Sequence, residues 1–195
     1  MGLGYVGLPL AVAFGQSQFA PVIGLDQNDR RVAELSGGKD RNADLDEEEL
    51  RKAKIEYTAD PTALHRANVI IVAVPTPITL ANQPDLSPVL GASEMIGKHL
   101  SKGTVVIYES TVYPGVTEDI CVPLVEKISG LRCGEDWFVG YSPERVNPGD
   151  ETNRLATIVK VVSGKDKATG QLIAQIYGEI CRGGVHLTPD IKTAE

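Results

Sequence analysis

Cysteine is scarce: only Cys121, Cys133 and Cys181 occur in 195 residues, with no C-x-x-C spacing. An odd, dispersed set of this kind argues against a disulfide framework and a zinc site, and for a reducing compartment, so the chain reads as cytoplasmic. No basic run is present, and 19 Lys+Arg against 26 Asp+Glu give a net charge of -7. Nucleic acid and anionic membrane surfaces are therefore poor partners. The longest apolar run, Val69 to Val74, is far shorter than the ~20 residues of a membrane span, and Met1-Gly2 opens no signal-peptide pattern. His65, His99 and His186 share no spacing with any Cys or Asp, so neither a metal site nor a catalytic triad is supported. What is present is an ordinary globular composition, 42% hydrophobic and 23% charged, without repeats or low-complexity tracts.

Strand-like apolar runs alternate with amphipathic helical ones, the pattern of βαβ units. Strands are expected at residues 21–26, 54–58, 69–75, 104–110, 136–141, 158–163 and 184–188, and helices at 5–16, 29–36, 47–52, 61–67, 87–100, 116–128 and 165–181. The near-continuous apolar character of the strands suits burial on both faces. The fold class is thus α/β, a doubly wound, mostly parallel sheet with helices on both faces. Asp60-Pro61 places a capping carboxylate before a proline at the first helical position, and Gly37-Gly38 follows a helix as a stop. The acidic run from Asp44 to Glu49 is read as first-turn carboxylates complementing a helix dipole, in preference to a metal or protein site.

Gly2-Leu3-Gly4-Tyr5-Val6-Gly7 fits G-x-G-x-x-G and opens a helix. Backbone N–H groups around Gly4, Tyr5 and Val6 could face a pyrophosphate at the helix's positive end, and alone the match is equally a plain strand-to-helix turn. Asp26 strengthens it. It closes the next strand-like run 19 residues after Gly7, where a carboxylate accepts from the adenosine ribose 2′-OH and repels a 2′-phosphate. That favours NAD over NADP, with Arg31 a nearby cation that softens the argument. The loop should follow a central strand, yet Met1 immediately precedes Gly2, so the first strand is expected to be absent and each half of the sheet to present an unpaired edge.

Gly2 to Pro9 (GLGYVGLP), Val74 to Pro77 (VPTP), Glu109 to Gly115 (ESTVYPG) and Ser142 to Gly149 (SPERVNPG) occur in this order. On these motifs the chain resembles the UDP-glucose/GDP-mannose dehydrogenases over nearly its whole length. SPERVNPGD and Pro84-Asp85-Leu86 look most like the UDP-N-acetylhexosamine 6-dehydrogenases of bacterial capsule, Vi-antigen and O-antigen synthesis. The resemblance implies an enzyme that oxidises a sugar C6 alcohol twice with two NAD, through an aldehyde and a cysteine thioester, to a uronic acid. It implies that Gly2, Gly4, Tyr5, Val6 and Gly7 line the diphosphate, Asp26 and Arg31 the adenosine ribose, and Pro75, Thr76, Ser110 and Thr111 the ribose and nicotinamide side. Thr111 would also orient a water.

The same resemblance places Glu144 at the reacting centre as an acid/base carboxylate, on a mount stiffened by proline. From the residues alone, a surface glutamate paired with Arg145 is the competing reading. Pro148 stands where the UDP-glucose enzymes carry a second glutamate, a departure that favours the N-acetylhexosamine branch. Tyr113 and Pro114 could shape the nicotinamide pocket or simply pack. The three cysteines lack the glycine-rich surroundings of the family nucleophile and read as small buried residues. Residues 1–188 are expected to form the NAD-binding domain and 189–195 to begin the helix leading to the central and UDP-sugar-binding domains. The implied partners are a UDP-sugar and, for the complete enzyme, a second subunit. The rivals are a UDP-glucose or UDP-N-acetylmannosamine 6-dehydrogenase, another dinucleotide-binding dehydrogenase, or a non-catalytic dinucleotide-binding module.

Overall fold

The computed structural model describes residues 1–19, 21–42, 45–79, 81–144 and 157–195. Seven strands form where the apolar runs predict them, divided between two sheets. β1 (Val22–Leu25) and β2 (Ile55–Thr58) pair in parallel, Val22 opposite Ile55 and Leu25 opposite Thr58. β3 (Val69–Val72), β4 (Val105–Tyr108), β5 (Phe138–Tyr141), β6 (Lys160–Gly164) and β7 (Val185–Leu187) follow in spatial order in the second sheet. Strands β3, β4 and β5 are parallel, β6 runs antiparallel to β5, and β7 is parallel to β6.

The pleat of β4 explains why the sheet is covered twice. Val106 and Tyr108 join the core formed with α4 (Ser87–His99) and α5 (Val122–Ser129). Their neighbours Val105 and Ile107 join Leu10 and Phe14 of α1 (Gly7–Gly15) and Ile173, Ile176 and Tyr177 of α6 (Lys167–Gly178). Alternate side chains of one strand thus feed two cores, as period-two geometry requires. A smaller third cluster, including Leu3, Leu8, Leu35 and Leu50, packs under α2 (Asp29–Ser36) and α3 (Glu47–Lys52).

Local chemistry sets the helix ends. Asn28 accepts from Arg30 N–H and Arg31 N–H at the start of α2. Asp46 and Glu49 form a reciprocal capping box on α3, while Glu47 and Glu48 pair with Arg51 and Lys52 one turn on. The carboxylates of this run within the described residues are therefore structural. Two expected helices differ in kind. Pro61–Arg66 is a 3₁₀ turn, capped by Asp60. The 116–128 segment divides into a π turn, Val116–Cys121, and α5, with Pro123 in the first turn of α5, where its missing N–H costs little. A short final helix, α7 (Ile191–Ala194), buries Ile191 and Ala194 in the core of the second sheet.

Among the described residues, no strand lies between β1 and β3. Met1 and Gly2 bridge their ends: the Met1 ammonium donates to the Ile71 carbonyl (2.9 Å), Ala73 N–H donates to the Met1 carbonyl (2.9 Å) and Gly2 N–H donates to the Leu25 carbonyl (2.8 Å). Beyond this bridge an apolar cavity of about 560 Å³ separates the strands, lined among others by Leu10, Phe14, Ile23, Leu64 and Ile70.

Candidate functional site

The motif residues gather at the carboxyl ends of β1, β3, β4 and β5, where open α/β sheets place their ligands. The glycine loop is shaped by close approach. Gly2 has φ +83° and a Cβ there would lie 2.7 Å from the Ala73 carbonyl oxygen, while a Cβ on Gly7 would lie 1.8 Å from the Gly2 carbonyl oxygen. Gly4 is different: nothing lies within 4 Å of its Cβ position. Gly4 and Tyr5 form an exposed lip over the start of α1, whose first turn has no side-chain cap. Two glycines therefore fold the loop and the third leaves its outer side open, the arrangement a diphosphate needs to reach backbone N–H groups at a helix start.

Asp26 is half-buried beside this lip. One of its oxygens accepts from Leu3 N–H (2.7 Å) and the other from Asn28 N–H (2.9 Å). The carboxylate is thereby oriented by the loop and by the start of α2, with lone pairs left over for a ribose hydroxyl. Arg31 lies beneath: it is 5% exposed, its Nε donates to the Leu3 carbonyl (2.9 Å), and Nη1 contacts Asp40 at 2.7 Å. The structure thus gives Arg31 the task of supporting the loop from inside. The donor set and the open Gly4 face fit a dinucleotide.

The opposite side of the crevice comes from β3 and β4. Ser110 is buried, and its hydroxyl donates to the Val74 carbonyl (2.7 Å), tying Pro75-Thr76 to Ser110-Thr111. Thr76 is half-buried, whereas Pro75, Thr111, Tyr113 and Pro114 are exposed. Tyr141 donates its hydroxyl to the Ser110 carbonyl (3.1 Å), and Ser142 N–H donates to the Tyr108 carbonyl (2.9 Å), so the end of β5 is locked to the end of β4. Glu144 follows immediately and is half-buried. Arg145 and Pro148 lie outside the described residues.

A buried ionic cluster beneath Glu144 is not visible in the motifs. Glu109, 1% exposed, accepts from Lys160 Nζ (3.0 Å) and from the Tyr177 hydroxyl; Lys160, fully buried, also donates to the Pro143 carbonyl (3.1 Å) and stands 5.6 Å from the Tyr177 ring centre. Burial pushes the Glu109 carboxyl up, the Lys160 ammonium and Tyr177 hydroxyl pull it down, and the nearby Glu144 carboxylate pushes it up again. Burial also drives the Tyr177 hydroxyl far above its usual range, helped by Glu109. The sequence signal for the cluster is a lone lysine within an apolar strand.

The cysteines are unlike nucleophiles: Cys121 and Cys181 are buried, and burial raises Cys133 and Cys181 to about 11. His65 Nε2 and His99 Nδ1 meet at 3.2 Å on the surface. Among the described residues no cluster of three or more potential ligands could hold a metal, and no helix is long and apolar enough to cross a membrane.

A glycine loop opening α1, an acid closing the next strand and a crevice at the strands' carboxyl ends define a dinucleotide-binding α/β domain. Residues 1–181 match the UDP-glucose/GDP-mannose dehydrogenase family, NAD binding domain, and the chain belongs to that family. It is 51% identical over 195 residues to protein CapL of Staphylococcus aureus, and 52% identical over 196 residues to a UDP-N-acetyl-D-glucosamine 6-dehydrogenase of Pseudomonas aeruginosa. All of this chain is covered in both cases, against 46% of each relative, so the chain spans about half the length of these proteins. Among solved structures, a UDP-D-ManNAc dehydrogenase from Pyrococcus horikoshii superposes with TM-score 0.90 at 33% identity, covering 100% of this chain and 47% of the other. The fold class, the family and NAD as cofactor stand as the sequence motifs had it.

Proposed function

We propose that this chain is the cofactor half of a nucleotide-sugar 6-dehydrogenase that takes a UDP-N-acetylhexosamine to its uronic acid. The observation that carries the reading is the gathering, at the carboxyl ends of the strands of both sheets, of the open glycine loop, Asp26, Thr76, Thr111 and Glu144. The 52% identity to a UDP-N-acetyl-D-glucosamine 6-dehydrogenase supports the hexosamine over glucose. When bound, NAD supplies the hydride acceptor. The loop N–H groups hold the diphosphate and Asp26 the adenosine ribose hydroxyls. Thr76 and Thr111 flank the nicotinamide side, where Thr111 orients a water, and Glu144 takes up or delivers a proton at the sugar carbon undergoing oxidation. Arg31 acts through the Leu3 carbonyl. Residues 189–195 lead towards the sugar-binding half, the complete enzyme pairs as a dimer, and the unpaired cysteines suit the cytoplasm.

Calorimetric titration tests the cofactor site. NAD binds saturably and NADP at least tenfold more weakly; Asp26→Asn, which keeps an acceptor for Leu3 N–H but drops the charge, narrows that preference. Equal affinity for both cofactors in the parent would overturn the role given to Asp26. For the substrate, the full-length protein is assayed with UDP-GlcNAc, UDP-GalNAc and UDP-glucose, and turnover of neither hexosamine defeats the reading.

A further inference from the structure

A buried ion pair contributes little to net stability, because desolvating both charges offsets their attraction. Lys160 and Glu109 nonetheless sit fully enclosed, and the Lys160 ammonium holds the carbonyl of the residue before Glu144. The third member of the cluster, Tyr177, reaches Glu109 from α6, so the end of β4, β6 and α6 meet in one buried cluster. Of the three side chains, Lys160 touches the Pro143 carbonyl, which shares its peptide plane with the Glu144 nitrogen. Lys160 Nζ is thus a side-chain donor to the peptide that carries Glu144, one step beyond the backbone bond from Ser142 N–H to the Tyr108 carbonyl.

We propose that Lys160, charge-balanced by Glu109 and Tyr177, is a positioning residue that sets the place of Glu144 over the reacting centre. The inference rests on the reading of Glu144 as the acid/base group. The geometry explains why the anchor is a cation. Lysine carries three donors on one nitrogen, enough to serve Glu109 and the Pro143 carbonyl together while its ammonium lies against the Tyr177 ring. A neutral apolar residue of the same length would fill the space and leave the carbonyl without a donor. An acid/base group needs its mount fixed to a fraction of an ångström, since a displacement of about 1 Å costs on the order of 10²-fold in rate.

Replacing one partner would strand a buried charge, so the test uses Lys160→Met with Glu109→Gln in the full-length protein, the glutamine oxygen still accepting from Tyr177. The expected result is a thermal midpoint close to the parent, unchanged NAD affinity and sugar KM, and kcat lower by on the order of 10²-fold. A folded double variant with parental kcat overturns the proposal, as does one in which kcat falls only with a matching rise in KM. Should the pair of substitutions prevent folding, Tyr177→Phe decides instead: a lower kcat at constant KM supports the proposal and a parental kcat defeats it. Glu144→Gln is run beside them. Retained turnover there defeats the acid/base reading itself, whereas an inactive Glu144→Gln with a fully active double variant defeats only the positioning role.

Discussion

The two sheets meet the same ligand crevice from opposite sides, and they are built to different standards. Every residue of β4 is buried, and the strand is paired on both edges and covered on both faces. In the smaller sheet Val22, Ile23 and all of β2 are only partly covered, and β1 has a single strand neighbour. Backbone hydrogen bonds of Met1 and Gly2 tie it to the larger sheet, and Leu25 packs into that sheet's core. Asp26 therefore stands on the less covered sheet, and Ser110, Thr111 and Glu144 on the more covered one. On this distribution of burial, local opening is expected first in the smaller sheet.

The comparison can be broken from the strong side first. Ile107→Ala, in the centre of β4 and fully enclosed, lowers unfolding free energy by about 2–5 kcal/mol, while Val22→Ala in β1 costs about 1 kcal/mol or less. Denaturant titration of both variants reads the difference directly, and equal losses would show the sheets to be one cooperative unit of uniform strength.

A smaller effect concerns the bridge between the sheets. Burial lowers the Met1 amino group from its ordinary 8.0 to about 6, opposed by Asp26 and Glu109. The unfolded chain then binds more protons than the folded one between pH 6 and 8, so stability rises with pH across that window, by at most about 3 kcal/mol. Thermal melts between pH 5.5 and 8.5 read the slope. An extension of four apolar residues ahead of Met1 takes the ammonium out of the interior and flattens it; a slope that survives the extension belongs to another group.

The smallest effect is at the surface. Arg66 and Glu56 pair the 3₁₀ turn with β2, with both side chains about half exposed. Arg66→Ala leaves the urea midpoint nearly unchanged, and a clear fall would mean that β2 depends on this pair more than its exposure allows.

The strands, the glycine loop and the acid at position 26 were legible because each is a local pattern: apolar runs of four or five residues, glycines at fixed spacing, a carboxylate at a strand's end. α2 and α3 appear with the expected limits for the same reason, through their Asn28 and Asp46 caps. What stayed hidden depends on contacts across the chain. Glu109 meets Lys160 and Tyr177 at separations of 51 and 68 residues, and neither periodicity nor motif spacing carries such a pairing. Arg31 likewise sits close in sequence to Asp26, yet its side chain turns inward to Leu3 and Asp40. The π turn is hidden too, because Val116 to Ile128 reads as one amphipathic helix until packing divides it.

The Glu195 carboxylate accepts from Gly115 N–H (2.6 Å) and Thr117 N–H (2.9 Å), at the entrance to the π turn just past Thr111 and Tyr113. Glu195, which closes α7, thereby works as a latch on the loop that follows Thr111. Two backbone donors 78 and 80 residues away in sequence thus share one carboxylate, and the end of α7 and the start of the π turn are fixed to each other.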